Sequence, residues 1–150
     1  MADLTVTAAQ VAPVNEVEPV ITTMIAAAAI TAGQVVYENT SGKADLARAN
    51  ATGTTQTIRG VALQSVAANR PVNVIERGTV YGFGGLGNSG TTVYASSATA
   101  GAIADTAPTT PNFLVPVGTV RSMPEGPNGA TMVKVLYVNV NTSHVTYVAL

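Results

Sequence analysis

Residues 58–83 read IRGVALQSVAANRPVNVIERGTVYGF, three short β-type runs separated by turn residues. Ile58, Val61 and Leu63 form the first apolar run. Ala67 to Arg70 is a small polar break closed by Pro71, after which Val72 and Val74 flank Asn73 with the period-two spacing of a half-buried strand. Gly78 separates these from Val80, Tyr81 and Phe83. The stretch reads as an antiparallel meander. Pro71 lacks a backbone donor and fits a strand entry or an edge. Gly60 and Gly78 suit bulges or close backbone approach.

The chain also repeats itself, at a spacing of roughly 60 residues. Ala32-Gly33-Gln34-Val35-Val36-Tyr37 followed by Gly42 matches Ser89-Gly90-Thr91-Thr92-Val93-Tyr94 followed by Gly101. Gly60-Val61-Ala62 matches Gly118-Thr119-Val120, and Val72-Asn73-Val74 matches Val133-Lys134-Val135. The expected fold is therefore all-β, a small barrel or sandwich built from two similar β units, approximately 32–83 and 89–140. An extended N-terminal arm, residues 1–31, precedes the β domain, residues 32–150. Two copies are too few for a solenoid.

Composition narrows the function. Only 10% of the 150 residues are charged, against about 25% in ordinary soluble proteins. So small a chain with so few charges has trouble covering its own surface, and another chain is expected to cover part of it. The net charge of −1 argues against nucleic acid as the main partner, which would need clustered Lys and Arg. The charges are unevenly placed: residues 1–38 carry Asp3, Glu16, Glu18 and Glu38 with no Lys or Arg, whereas residues 39–80 carry Lys43, Arg48, Arg59, Arg70 and Arg77 against Asp45 and Glu76. An acidic arm before a basic body fits an arm that crosses a neighbouring subunit, although solubility alone would also account for it.

The absence of cysteine excludes disulfides and thiolate metal sites. The amino terminus lacks a basic leader region. Its longest weakly polar run, Val20 to Ala32, falls short of the ~20 residues needed to cross a bilayer, so a soluble chain with no membrane partner is expected.

Within the arm, Leu4, Val6, Val11, Val14, Val17 and Val20 recur among polar residues, prolines and glutamates. A central strand is disfavoured there; an extended arm or an edge strand fits. These six residues are the candidate partner contacts, and such an arm predicts that removing residues 2–20 leaves the β fold intact. Met24 to Ile30 suits either one helical turn or a tightly packed strand of small residues. Ala44 to Ala51 is open between strand and helical turn. Strands are expected at Gln34–Glu38, Phe113–Val120, Thr131–Val140 and Ser143–Leu150, with a turn at Met123–Gly129.

No catalytic residues, cofactor site or metal site emerge. Gly82, Gly84 and Gly87 fit GxGxxG, with Asp105 at about the right distance, but the residues between read as strand and loop where the dinucleotide fingerprint requires a helix. His144 is the only histidine. It lacks a Gly-x-Ser-x-Gly elbow for a hydrolase triad and supplies one imidazole at most to a metal. Asn141-Thr142-Ser143 matches the glycosylation acceptor pattern, which matters only for a secreted chain. Glu76 and Arg77 read as two solvated edge charges, with an inward charge or intersubunit pair as the alternative. The five tyrosines each sit in an expected strand, as core-rim residues or, less simply, as a row lining a sugar-binding face. Aromatics at 5% with no tryptophan count against that second use.

The order Ala32-Gly33-Gln34-Val35-Val36, Gly42-Lys43, Gly60-Val61-Ala62, Pro71-Val72-Asn73-Val74 and Gly78 resembles the capsid decoration, or cement, proteins of tailed bacteriophages. It covers residues 32–78; beyond them the likeness is one of composition and repeat. The resemblance implies a structural virion protein, not an enzyme, which sits on the outer capsid surface, binds the major capsid protein and stabilises contacts between capsomers. It also implies a homo-oligomer, a trimer ahead of a dimer. A carbohydrate-binding or fibre-type β module is the alternative.

Overall fold

The computed structural model describes residues 3–14, 19–50, 58–109, 114–125 and 131–140. They form β1 (Thr5–Val6), a 3-10 turn (Ala8–Gln10), β2 (Val20–Ile25), β3 (Val35–Glu38), β4 (Ala44–Leu46) and β5 (Ile58–Ala62). Then follow β6 (Pro71–Val80), β7 (Phe83–Gly84), β8 (Thr92–Ala95), β9 (Ile103–Ala104), β10 (Pro116–Glu125) and β11 (Thr131–Asn139). The protein is all-β. One curled sheet runs β4-β3-β5-β6-β11-β10-β8-β9 with β2 added to β6, and β1 pairs with β7 in a second small sheet. The ends of the curl meet through backbone bonds: Gly101 N–H donates to the Ala47 carbonyl (2.7 Å), Val35 N–H to Gly101 (2.8 Å) and Ala49 N–H to Ser96 (3.0 Å).

The two units share one connectivity. β3 pairs with β4 and β5, and β5 with β6; β8 pairs with β9 and β10, and β10 with β11. The likeness reaches single hydrogen bonds. Gly33 N–H donates to Ala62 and Ala62 N–H to Gln34, just as Gly90 N–H donates to Val120 and Val120 N–H to Thr91. Gly33 and Gly90 open the units at φ +92° and +90°, a backbone region that only glycine enters freely. Gly60 and Gly118 are also counterparts: a Cβ on Gly60 would strike the Ile75 carbonyl oxygen, and one on Gly118 that of Tyr137. In one detail the alignment shifts. The ladders set Val61 opposite Ile75 and Thr119 opposite Tyr137, so Ile75 corresponds to Tyr137, and the match of Val72-Asn73-Val74 to Val133-Lys134-Val135 is one residue out of step.

A bulge decides how the units pack. Ile75 faces both Ile21 and Val61, and Arg77 faces both Val20 and Asn139. An antiparallel residue has one partner on each edge, so β2 follows one edge of β6 while β5 and then β11 take the other. Glu76 is the extra residue between the β2 partners Val20 and Ile21, and such an insertion bends a strand and resets its alternation. As a result the units present opposite faces to the common core. Val35, Val61 and Ile75 enter it from the first unit, and Val93, Val120 and Leu136 from the second. Thr92, Thr119 and Tyr137, counterparts of the first three, are half-exposed on the outer side. Threonine replaces valine where the face turns to water.

The outward face of the first unit is covered by its own chain. Met24, Ala26 and Ile30 pack on Val36, Ala44, Ala62, Val72 and Val74 as a second, smaller core. No helix forms between Met24 and Ile30; Ala26 bridges Ala44 directly, the close approach that small side chains permit. Ala44 to Leu46 is a strand, and Ala47 and Ala49 beyond it are fully buried. β10 continues through Pro124, where a turn was expected. β8 pairs only as far as Thr119, so the missing Pro124 donor breaks no ladder on that edge. Phe113, residues 126–129 of the expected turn and the expected strand Ser143–Leu150 lie outside the described residues. Among the described residues no helix is long and apolar enough to cross a membrane.

Candidate functional site

The N-terminal stretch is extended and lies on its own β units. Leu4 enters the main core and its N–H donates to Ile103 (2.7 Å). Val11 is buried; Val14 is half-buried and its N–H donates to Thr79 (2.8 Å). Tyr81 N–H donates to Ala12 (2.9 Å), so residues 12–14 and then β2 line one edge of β6. Of the six candidate contacts only Val6 and Val20 are exposed, and Val17 lies outside the described residues. The structure does not gather the five described ones onto one surface. Leu4 and Val11 hold the chain together, so truncating residues 2–20 is expected to cost stability.

Besides Val6 and Met132, the exposed large apolar residues among those described lie on β2. Val20, Ile21 and Ile25 are 40%, 43% and 41% exposed, whereas Met24 turns inward. Sequence reading missed Ile21 and Ile25, although Val20-Ile21-Thr22-Thr23-Met24-Ile25 is an uncharged run and its lack of charge was a visible signal. Period two puts Ile21, Thr23 and Ile25 on one face, where the Thr23 hydroxyl donates to Asn73 Oδ1 (2.8 Å). On the other face the Thr22 hydroxyl donates to Glu76 Oε2 (2.6 Å). Glu76 also faces Arg59 Nε at 3.7 Å, and Arg59 Nη1 pairs with Glu38 at 3.3 Å. Glu76 is therefore not a free edge charge: it occupies the bulge and anchors β2 to β6. Arg77 is exposed.

Backbone directions follow from the ladder. Leu63 N–H donates to Asn73 on the β5 side, and Ala26 N–H to Arg70 on the β2 side. Val72 and Val74 therefore direct their polar groups at Met24 and Thr22. Ile21, Thr23 and Ile25 then turn their N–H and C=O groups away from β6. Among the described residues no other strand pairs with β2 along Ile21–Thr23; at its C-terminal end the Ala26–Ala44 bridge, with Ala27 N–H donating to Ala44 (2.8 Å), sets β4 against that outer edge. Edge strands are commonly blunted by lysine, proline or an inward charge; from Val20 to Ile25 there is none.

Little else offers chemistry. No group of three or more His, Asp or Glu that could hold a metal occurs among the described residues, and His144 lies outside them. Gly82, Gly84 and Gly87 lie before, in and after β7, with no helix to cradle a phosphate. Burial, followed by the charge of the opposed Asp45, raises the Tyr37 pKa above its ordinary value. A cleft of about 330 Å³ on the outer face of the second unit is lined by Thr92, Thr119, Arg121, Tyr137 and Asn139. There the Arg121 guanidinium lies 3.7 Å from the Tyr137 ring centre, so that ring is already partnered. A second cleft of about 290 Å³, between Leu4, Val6, Ala32 and Ala100, is mainly apolar. Neither a protein family, nor a curated protein, nor a solved structure matches the chain.

Proposed function

We propose that the chain is a structural virion protein that binds the outer surface of a phage capsid, through the major capsid protein, and stabilises contacts between capsomers. One observation carries this reading: an uncharged strand, β2, exposes Val20, Ile21 and Ile25, and its outer edge is open over Ile21–Thr23 among the described residues. Exposed edges of this kind are where other chains add strands or pack. The resemblance of residues 32–78 to decoration proteins supplies the setting, and the low charge content fits a protein whose surface is completed by assembly. Attachment then rests on many weak contacts repeated around a closed shell, which together give high avidity.

Co-sedimentation of the full chain with assembled phage shells tests the proposal. Saturable pelleting at a fixed ratio to capsid protein is expected. A chain that stays in the supernatant at every shell concentration, while a known decoration protein pellets, would overturn it.

A further inference from the structure

We propose that the cleft on the outer face of the second unit binds a carboxylated sugar, whose carboxylate is held by Arg121 and whose hydroxyls meet Thr92, Thr119, Tyr137 and Asn139. This goes beyond the capsid reading and does not depend on it; the site is separate from β2.

The sheet builds the cleft. Thr92, Thr119 and Tyr137 stand opposite one another across β8, β10 and β11, so three hydroxyl side chains form one row on the outer face. Asn139 follows Tyr137 on the same face of β11. Beside the row the β8–β10 register shifts between Pro116 and Gly118, an irregularity of the kind that re-aims side chains next to binding sites. Gly118 lines the cleft with backbone alone, and a Cβ there would strike the Tyr137 carbonyl oxygen. The cleft holds about 330 Å³, at the small end of the ~300–1,000 Å³ typical of ligand pockets.

Its polar groups are uncommitted. Among the described residues the side chains of Thr92, Thr119, Tyr137 and Asn139 make no hydrogen bond, Arg121 makes no ion pair, and no acidic residue lines the cleft. The Tyr137 ring holds the Arg121 guanidinium instead, 3.7 Å from the ring centre. Stacking of this kind restricts the side chain while leaving the N–H fork at its edge available. A fork fixed in advance loses less freedom on binding, and a planar carboxylate matches it with two parallel hydrogen bonds.

The remaining lining sets the rest of the ligand. One cation beside four neutral side chains that donate and accept suits a molecule with one negative charge and several hydroxyls. A bare inorganic anion would leave the hydroxyl row unused, and a neutral sugar would leave the guanidinium without a counter-charge. In the first unit the counterparts of the row are Val35, Val61 and Ile75, all in the core, and the outer face is closed by Met24, Ala26 and Ile30. No such segment lines the cleft of the second unit.

Titration of the isotope-labelled full chain with glucuronate, followed by amide shifts in two-dimensional NMR, tests the proposal. Saturable shifts are expected at Thr92, Thr119, Arg121, Tyr137 and Asn139, with a Kd in the millimolar range that suits a single ring. Glucose, which lacks the carboxylate, and acetate, which lacks the hydroxyls, should each bind roughly tenfold more weakly or worse. Arg121→Gln should weaken glucuronate binding by roughly tenfold or more. Thr119→Val installs the residue that the first unit carries at that place, so the fold is kept, and should weaken binding about threefold. The proposal would be overturned by the absence of saturable shifts, by shifts centred elsewhere, or by glucose or acetate binding as tightly as glucuronate. Unchanged binding by a folded Arg121→Gln chain would overturn it as well.

Discussion

Replacing Leu4 by alanine separates an arm that waits for a partner from a segment that completes this chain's own core. Leu4 is 7% exposed and packs with Val35, Val93 and Ile103 in the main core. Leucine-to-alanine changes in a core cost about 2–5 kcal/mol, more where the space cannot collapse. Leu4 borders the cleft that Val6 and Ala32 share, so its surroundings can relax, and the lower end, about 2–3 kcal/mol, applies. For a domain of this size each kcal/mol moves Tm by about 2–4 °C, which gives a drop of roughly 4–12 °C. Thermal and urea unfolding followed by far-ultraviolet circular dichroism would measure it, with an unchanged m-value showing that the loss is one of stability. Val20→Ala, on the exposed strand, should move Tm by no more than about 2 °C. If Leu4→Ala matched Val20→Ala, the N-terminal stretch would not be part of the core.

Other outcomes follow from the same geometry. Gly60→Ala and Gly118→Ala should each destabilise by about 3 kcal/mol or more, since a Cβ meets a neighbouring strand's carbonyl in both; Gly87→Ala, where a Cβ meets only the Thr91 hydroxyl at an ordinary 3.8 Å, should be nearly neutral in urea unfolding. Glu76→Ala removes the acceptor for Thr22 and should cost about 1–2 kcal/mol, with amide exchange accelerating first at Thr22 and Met24. Met24→Ala empties the smaller core and should cost about 2–3 kcal/mol without changing the main core's tyrosine fluorescence. Tyr37 favours its protonated form more in the folded chain than in the unfolded one. Its contribution is thus complete below the unfolded tyrosine value of about 10 and is lost as pH rises above it; Tyr37→Phe should flatten the alkaline end of a stability profile, and an unchanged slope would remove that assignment.

Much of the fold was legible because its determinants are local. A turn that needs positive φ selects glycine, so Gly33 and Gly90 mark the same step in both units. Close approach of a neighbouring strand selects glycine again at Gly60 and Gly118. Period-two spacing located β6 and β11, and Pro71 marked a strand entry. The candidate contacts were less legible. Leu4 and Ile21 look alike in sequence, each apolar and among threonines, yet one enters the core and the other is exposed. Which of them is free depends on where the N-terminal stretch lies against β6, and no local pattern encodes that.

The sequence by itself determined an all-β chain of two similar units, poor in charge and in the side chains of catalysis, with an uncharged run at Val20–Ile25. Tertiary structure alone decided which face of each unit turns inward. Val35 and its counterpart Thr92 hold the same place in their ladders, and the bulge at Glu76 sends one to the core and the other to solvent. It also decided that the N-terminal stretch packs on its own β units while β2 keeps its edge open from Ile21 to Thr23 and meets β4 beyond it. Side-chain alternation is a local property that one inserted residue resets, whereas burial depends on which distant strand arrives at each edge.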